Sequence, residues 1–236
     1  MSYFFQENLL QHSFILSPEE SRHITKSLRL KEGDVILMTD GKGTLAKAIL
    51  TKTYKESCEA AIVERAFHDT SLERKLHLAI APTKNPDRIE WLVEKAVEMG
   101  VSQISFLLCS RSERKHIDLN RLSRVAVAAL KQSKSAWLPE LSITSFPQFI
   151  IETATQNAQK FIAHCSEKES VIDISAISLQ HSVIFLIGPE GDFTPQEIAT
   201  ASEKGFQQVS LGKRTLRTET AGVFVACWFA VVSTNR

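Results

Sequence analysis

No two cysteines in this sequence stand at metal-binding or redox spacing. Cys58, Cys109, Cys165 and Cys227 are widely scattered, with no CxxC pair. No metal site is therefore expected, and free, mostly buried thiols in a reducing cytoplasm are. There is no GxxxxGK[ST] loop and no GxGxxG turn, which removes the obvious nucleotide-phosphate readings. The longest apolar run, residues 221–232, is too short to span a bilayer and reads as a buried helix. The start, Met1-Ser2-Tyr3-Phe4-Phe5, lacks the basic and then long apolar layout of a secretory signal. A cytoplasmic protein without a membrane segment is expected. Charge of one sign is also missing: 28 Lys and Arg face 27 Asp and Glu. Any surface for nucleic acid must then be local.

What is present divides the chain in two. Residues 1–70 carry short strand-like runs and tight turns. Ser17-Pro18-Glu19-Glu20 has a cap, an early proline and a capping-box glutamate, so a helix starts there. Asp40-Gly41-Lys42-Gly43 reads as a hairpin turn. A small β-barrel domain is expected, of a kind often used to bind RNA. Arg22, Lys26 and Arg29 are spaced for one helix face, which reads first as a solvated surface and second as an RNA contact.

From residue 73 to 236 strand and helix alternate. Lys75–Ala81, Ile104–Cys109, Lys160–Cys165, Val183–Ile187 and Gln208–Leu211 read as strands; 85–99, 118–136, 146–157, 194–205 and 218–232 read as helices. The fold class is α/β, a mostly parallel sheet covered on both faces. Such sheets bind ligands beyond the carboxyl ends of their strands.

Three stretches bear on chemistry. Gly188-Pro189-Glu190-Gly191-Asp192-Phe193 follows the apolar run 183–187, and Leu211-Gly212-Lys213-Arg214-Thr215-Leu216-Arg217-Thr218 follows a second short strand. Each glycine turn brings backbone close to a ligand, and one alone would be an ordinary strand-to-helix turn. Two, each trailed by charged or hydroxyl residues, point to a site. Next, Arg111, Arg114, Lys115, Arg121, Arg124, Lys131 and Lys134 face only Glu113 and Asp118, so residues 111–134 hold seven positive and two negative charges, +5, with Gln132 and Ser133 among them. An excess of that size in a near-neutral chain suits RNA phosphate. Finally, residues 221–232 are apolar all round and need cover on every side. A second copy of the chain would supply it, and so would burial within one copy.

Together the GPEG turn, the LGxRxLRTETA stretch, residues 84–100 and Lys131-Gln132-Ser133 resemble the RsmE family, 16S ribosomal RNA (uracil-N3) methyltransferases of the SPOUT superfamily. Ser17-Pro18-Glu19-Glu20, Leu28-Arg29 and Gly33-Asp34 match too, so the resemblance covers nearly the whole chain. It implies a PUA-like barrel over 1–70, then a methyltransferase domain over 73–236 with a C-terminal trefoil knot, and a homodimer. It also implies S-adenosylmethionine as cofactor, and 16S ribosomal RNA or the small ribosomal subunit as partner, the family's target being uridine 1498. The implied cofactor contacts are Leu186, Gly188, Pro189, Glu190, Gly191, Leu211, Gly212, Leu216 and Thr218, and the implied RNA contacts are Arg22, Arg29, Arg111, Arg114, Gln132 and Lys134. Two positions depart from the commonest pattern: Asp192 replaces a second glycine, and Lys213 a proline.

On that resemblance a mechanism can be argued. Methyl transfer from a sulfonium needs alignment and exclusion of water. As uracil N3 loses its proton, negative charge spreads onto the uracil oxygens, which a fixed cation would stabilise. Arg217 is the catalytic candidate and Arg214 the second; a structural ion pair, or a contact to the cofactor carboxylate, would serve Arg217 as well. Glu190, Asp192 or solvent would accept the proton. Two rivals remain: a SPOUT methyltransferase acting on another RNA, and a non-catalytic RNA-binding assembly protein.

Overall fold

The computed structural model of the chain describes residues 3–70, 74–165 and 171–234. Contacts divide it into two compact units, residues 1–71 with Val127–Leu138, and residues 72–126 with 139–236.

In the first unit, strands β1 (Tyr3–Phe5), β2 (Ser13–Ile15), β3 (Val35–Thr39), β4 (Thr44–Tyr54) and β5 (Ser57–Phe67) form one sheet in the order β1-β3-β4-β5-β2. β1 runs parallel to β3, and the other pairs are antiparallel. The element expected as a barrel is thus a five-stranded sheet, and β1 and β2 do not pair with each other among the described residues. Its inner face buries Phe4, Ile36, Met38, Leu50 and Ile62, with Ile24 above them. Asp40 makes the hairpin turn. Its Oδ1 accepts from the amides of Lys42 (2.7 Å) and Thr44 (2.9 Å), as a turn aspartate does. Residues 127–138 belong here through main-chain bonds: Gly43 N donates to Ala136 O at 2.8 Å and Leu138 N to Gly41 O at 2.9 Å.

Helix α1 (Pro18–Arg22) starts as its sequence dictates, Ser17 Oγ accepting from Glu20 N. It then widens into a π-helical turn over His23–Leu28 and stops at Arg29, whose φ of 55° is left-handed. The helical period thus changes within the basic row, and Arg29 lies at the cap, outside the helix.

The second unit is built on a seven-stranded sheet, in the order β10-β12-β9-β11-β6-β7-β8. These strands are β6 (Lys75–Ile80), β7 (Gln103–Leu108), β8 (Glu140–Ser145), β9 (Gln159–Ala163), β10 (Ile172–Asp173), β11 (Ser182–Ile187) and β12 (Gln207–Ser210). All its pairs are parallel. Its helices are α2 (Pro86–Glu98), α4 (Phe146–Thr153), α5 (Pro195–Glu203) and α6 (Thr218–Thr234), with the first part of α3 (Leu119–Ser133), whose residues from 127 on belong to the first unit. Caps fix their starts: Asn85 for α2, Ser145 for α4 and a full Thr194–Glu197 capping box for α5. Gly100 and Gly205, both at positive φ, follow α2 and α5. The order places β11 between β9 and β6, although β7 and β8 come between them in the chain. The chain thus reverses its direction of travel across the sheet beside β11, where ligands bind in such folds.

At the opposite, amino end of the strands, burial holds His77 neutral. Its Nε2 meets Ser105 Oγ at 2.8 Å, Ser105 meets Ser142 at 2.8 Å, and Phe149 packs edge-on against the ring. Burial lowers the His77 pKa to about 4, against a small opposing pull from Glu140. Free imidazole titrates near 6.5, so in the window between these values the unfolded chain binds the proton and the folded chain does not. The His77 contribution to stability should be nearly constant above about pH 6.5 and fall by roughly 2 kcal/mol from pH 7 to pH 5. Urea unfolding of the wild type and of His77→Gln at both pH values checks this: the variant should lose much of the difference, and equal pH slopes would rule His77 out.

Candidate active site at the carboxyl ends of β6, β11 and β12

The turn after β11 is held from three sides. Asp192 N donates to Pro189 O at 2.8 Å, closing residues 189–192 into a tight turn. Arg111, in the segment after β7, donates from Nη1 to Gly191 O at 2.7 Å and to Phe193 O at 3.4 Å. Glu197 joins the same segment to α5, its Oε1 accepting from Ser110 N and its Oε2 from Thr194 N, both at 2.8 Å. Burial works against ionisation of Glu197, but these donors outweigh it and hold its pKa below the usual carboxylate range. Gly188 is needed for space, because a Cβ there would lie 3.0 Å from the Phe193 ring and 3.2 Å from the Phe193 amide.

Asp192 takes the left-handed conformation, φ 61°, where a glycine is usual, and aspartate is among the few residues that tolerate it. Its carboxylate is fully used: Oδ2 accepts from Cys165 N at 2.9 Å and Oδ1 from Phe193 N at 2.7 Å. The side chain that stood out in the sequence is a tether between the turn and the segment after β9. Cys109 is buried near Glu197, and burial pushes its thiol up to about 12, so it is no nucleophile. All four cysteines are free; Cys58 and Cys109 are buried, while Cys165 is exposed, against the expectation for most thiols.

The second turn leaves β12 at Ser210. Ser210 Oγ accepts from Gly212 N at 3.2 Å, and Gly212 has a φ of 115°. Lys213, Arg214, Thr215 and Arg217 are exposed, and Leu211 and Leu216 are half-buried. The two turns meet at Thr218, whose Oγ1 donates to Gly188 O at 3.0 Å. That hydroxyl joins the two beds. Beside it, Glu219 is buried and pairs with Arg88 of α2 at 3.5 Å. Gly222, one turn on, lets α6 sit directly on Ile80 and Leu92, each of which would be 2.7 Å from an added Cβ.

The other candidates are placed as follows. Leu186 lies inside β11, covered by β6 and β9, and supports the bed from beneath. Pro189 is buried, while Glu190 and Gly191 are exposed. Arg22, Arg29, Gln132 and Lys134 are exposed residues of the first unit; in the second, Arg111 is exposed and Arg114 half-buried. The local excess of charge is smaller than the sequence implied. Arg121 pairs with Glu90 at 2.6 Å and Lys131 with Glu20 at 2.7 Å, partners distant in sequence that no charge count of one segment sees. Glu219 and Arg88 were missed as site residues; the available signal was a carboxylate at the start of an otherwise uncharged helix. Among the described residues, no three His, Cys, Asp or Glu side chains form a group able to hold a metal. No helix among them is long and apolar enough to cross a membrane.

Residues 70–230 match the family model of the RNA methyltransferase domain, and residues 16–63 that of the RNA methyltransferase PUA domain. A probable rRNA-methyltransferase of Porphyromonas gingivalis superposes with a TM-score of 0.91 at 34% identity, covering 99% of this chain and 98% of that one. A ribosomal RNA small subunit methyltransferase E of Neisseria gonorrhoeae, crystallised with S-adenosyl methionine, gives a TM-score of 0.83 at 27% identity, with 98% of each chain covered. The protein of that name from Bacillus subtilis is 28% identical over 90% of this chain and 87% of its own.

Proposed function

The chain belongs to the RsmE family of RNA methyltransferases, and from that premise we propose that it transfers a methyl group from S-adenosylmethionine to N3 of a uridine in 16S ribosomal RNA. The observation that carries the reading is the pair of glycine turns joined through Thr218 and Gly188 at the carboxyl ends of β11 and β12. The donor set fits the cofactor. Two backbone turns, the second carrying half-buried Leu211 and Leu216, suit a flat base and its sugar, and no phosphate loop is present. Gly188, Pro189, Glu190, Gly191, Leu211, Gly212 and Leu216 would hold it, with Thr218 fixing one turn against the other. The cofactor supplies an electrophilic methyl on a sulfonium.

The chain's own contribution is alignment and charge. Arg217 stands at the mouth of the second turn with its side chain exposed, and among the described residues it makes no ion pair, so its guanidinium is available to the uracil oxygens as N3 loses its proton. Arg214 is the second candidate. The target base must be unpaired or flipped to reach the site. Arg22, Arg29, Arg111, Arg114, Gln132 and Lys134 are proposed to contact the RNA. Arg111 does so while bracing the turn, since its hydrogen bonds to carbonyls leave its charge uncompensated. The enzyme is proposed to be a cytoplasmic homodimer with a trefoil knot in the C-terminal unit, the family's target being uridine 1498.

The decisive experiment digests small-subunit RNA from cells with and without the protein. Loss of one 3-methyluridine without it is expected; an unchanged content refutes the reading.

A further inference from the structure

Glu219 is nine-tenths buried, yet one of its oxygens, Oε2, has no hydrogen-bond partner among the described residues. Among the described residues its other oxygen has only Arg88, at ion-pair distance. A buried carboxylate with an unmet acceptor is costly, and such groups in native proteins call for an explanation.

Its position supplies one. Glu219 lies one turn before Gly222 on the same face of α6, and Gly222 rests on Ile80, the last residue of β6. The next residue, Ala81, donates from its amide to Ile187 O at the end of β11. Thr218, its chain neighbour, bonds Gly188 O. Glu219 therefore stands over the carboxyl ends of β6 and β11, at the floor of the cofactor bed.

The other carboxylates of the bed are committed. Both oxygens of Asp192 accept main-chain amides, and both oxygens of Glu197 do the same. Glu190 is exposed to solvent. This leaves Glu219 as the buried carboxylate of the bed with acceptor capacity to spare among the described residues. S-adenosylmethionine carries two positive groups, a sulfonium and an α-ammonium, and only the ammonium donates hydrogen bonds.

We propose that Oε2 of Glu219 accepts the α-ammonium of the cofactor's amino-acid end, and so fixes the direction in which the cofactor lies across the bed. The inference rests on the methyltransferase reading above and adds a residue and an atom to it.

The test compares two probes by calorimetry. S-adenosylhomocysteine keeps the amino-acid end, and 5′-methylthioadenosine lacks it. Glu219→Gln should weaken S-adenosylhomocysteine roughly tenfold or more, as loss of a charge-assisted hydrogen bond does. Binding of 5′-methylthioadenosine should be unchanged, and so should the melting temperature without ligand. Should Glu219→Gln unfold, Glu219→Asp keeps the charge and is expected to retain part of the preference for S-adenosylhomocysteine. Equal weakening of both probes would assign Glu219 to the scaffold and overturn the proposal. Unchanged binding with a fall in turnover would overturn it too, placing Glu219 against the RNA base instead. If the wild type binds neither probe, the methyltransferase reading itself fails.

Discussion

Arg217→Ala is expected to lower methylation by roughly 10²–10³-fold, the loss seen when one preorganised donor to a developing oxyanion is removed. Binding of S-adenosylhomocysteine, measured by calorimetry, should fall far less. The split follows from where the residue sits. Its carbonyl accepts Ala221 N at 2.8 Å and so belongs to the first turn of α6, which any residue can provide. Its side chain is exposed and is not spent on a carboxylate among the described residues. Truncation therefore removes an exposed cation and little structure. A guanidinium that acts on charge developing in the transition state changes turnover, and one that grips the cofactor's carboxylate changes affinity. Full activity in the variant would remove Arg217 from the mechanism, and a parallel loss of affinity would move it to the cofactor.

The second large effect concerns α6. The helix packs against β6, β11 and α2 and leaves part of its surface exposed among the described residues. Phe224 is 40% exposed and Val231, two turns further on, is 63% exposed. Apolar groups of this size at positions seven apart make a stripe rather than scattered surface residues. If a second copy covers the stripe, Phe224→Asp buries a charge in the interface and should raise the dimer dissociation constant at least a hundredfold, about 3 kcal/mol. Sedimentation should show a dimer for the wild type and a monomer for the variant, with little change in the variant's far-ultraviolet circular dichroism. A monomeric wild type, or a variant that still dimerises, sinks the homodimer.

Much of the second unit was legible because β6, β7, β9 and β11 are mostly buried and carry dense apolar runs, and α2, α4 and α5 open with clear caps. β8 was not seen. ELSITS is an edge strand, half-exposed, with only Leu141 and Ile143 to mark it. The helix read over 146–157 stops at Thr153, whose hydroxyl turns back to Phe149 O at 2.7 Å. The π-helical turn at 23–28 was invisible because propensity does not distinguish it from the α-helix it continues. Within the site, both turns were found by their glycines. The partners of those turns were not, because they arrive from far along the chain. Arg111 was read as a phosphate contact from its charge, and its bonds to Gly191 and Phe193, 80 and 82 residues away, are set by sheet topology. Asp192 was read as a charge beside the ligand for the same reason.

Asp192 has one more consequence. A glycine at that position would reach φ 61° freely but would also leave the unfolded turn with the greatest freedom to lose. The aspartate reverses both terms. It accepts a local strain of about 1 kcal/mol, narrows the unfolded ensemble, and recovers the strain through two amides. One of those amides belongs to Cys165, so the turn cannot swing open without releasing the chain after β9. Exchange of whatever lies on the turn is then linked to the breathing of a second segment, and the residence time of the ligand becomes a property of two loops moving together.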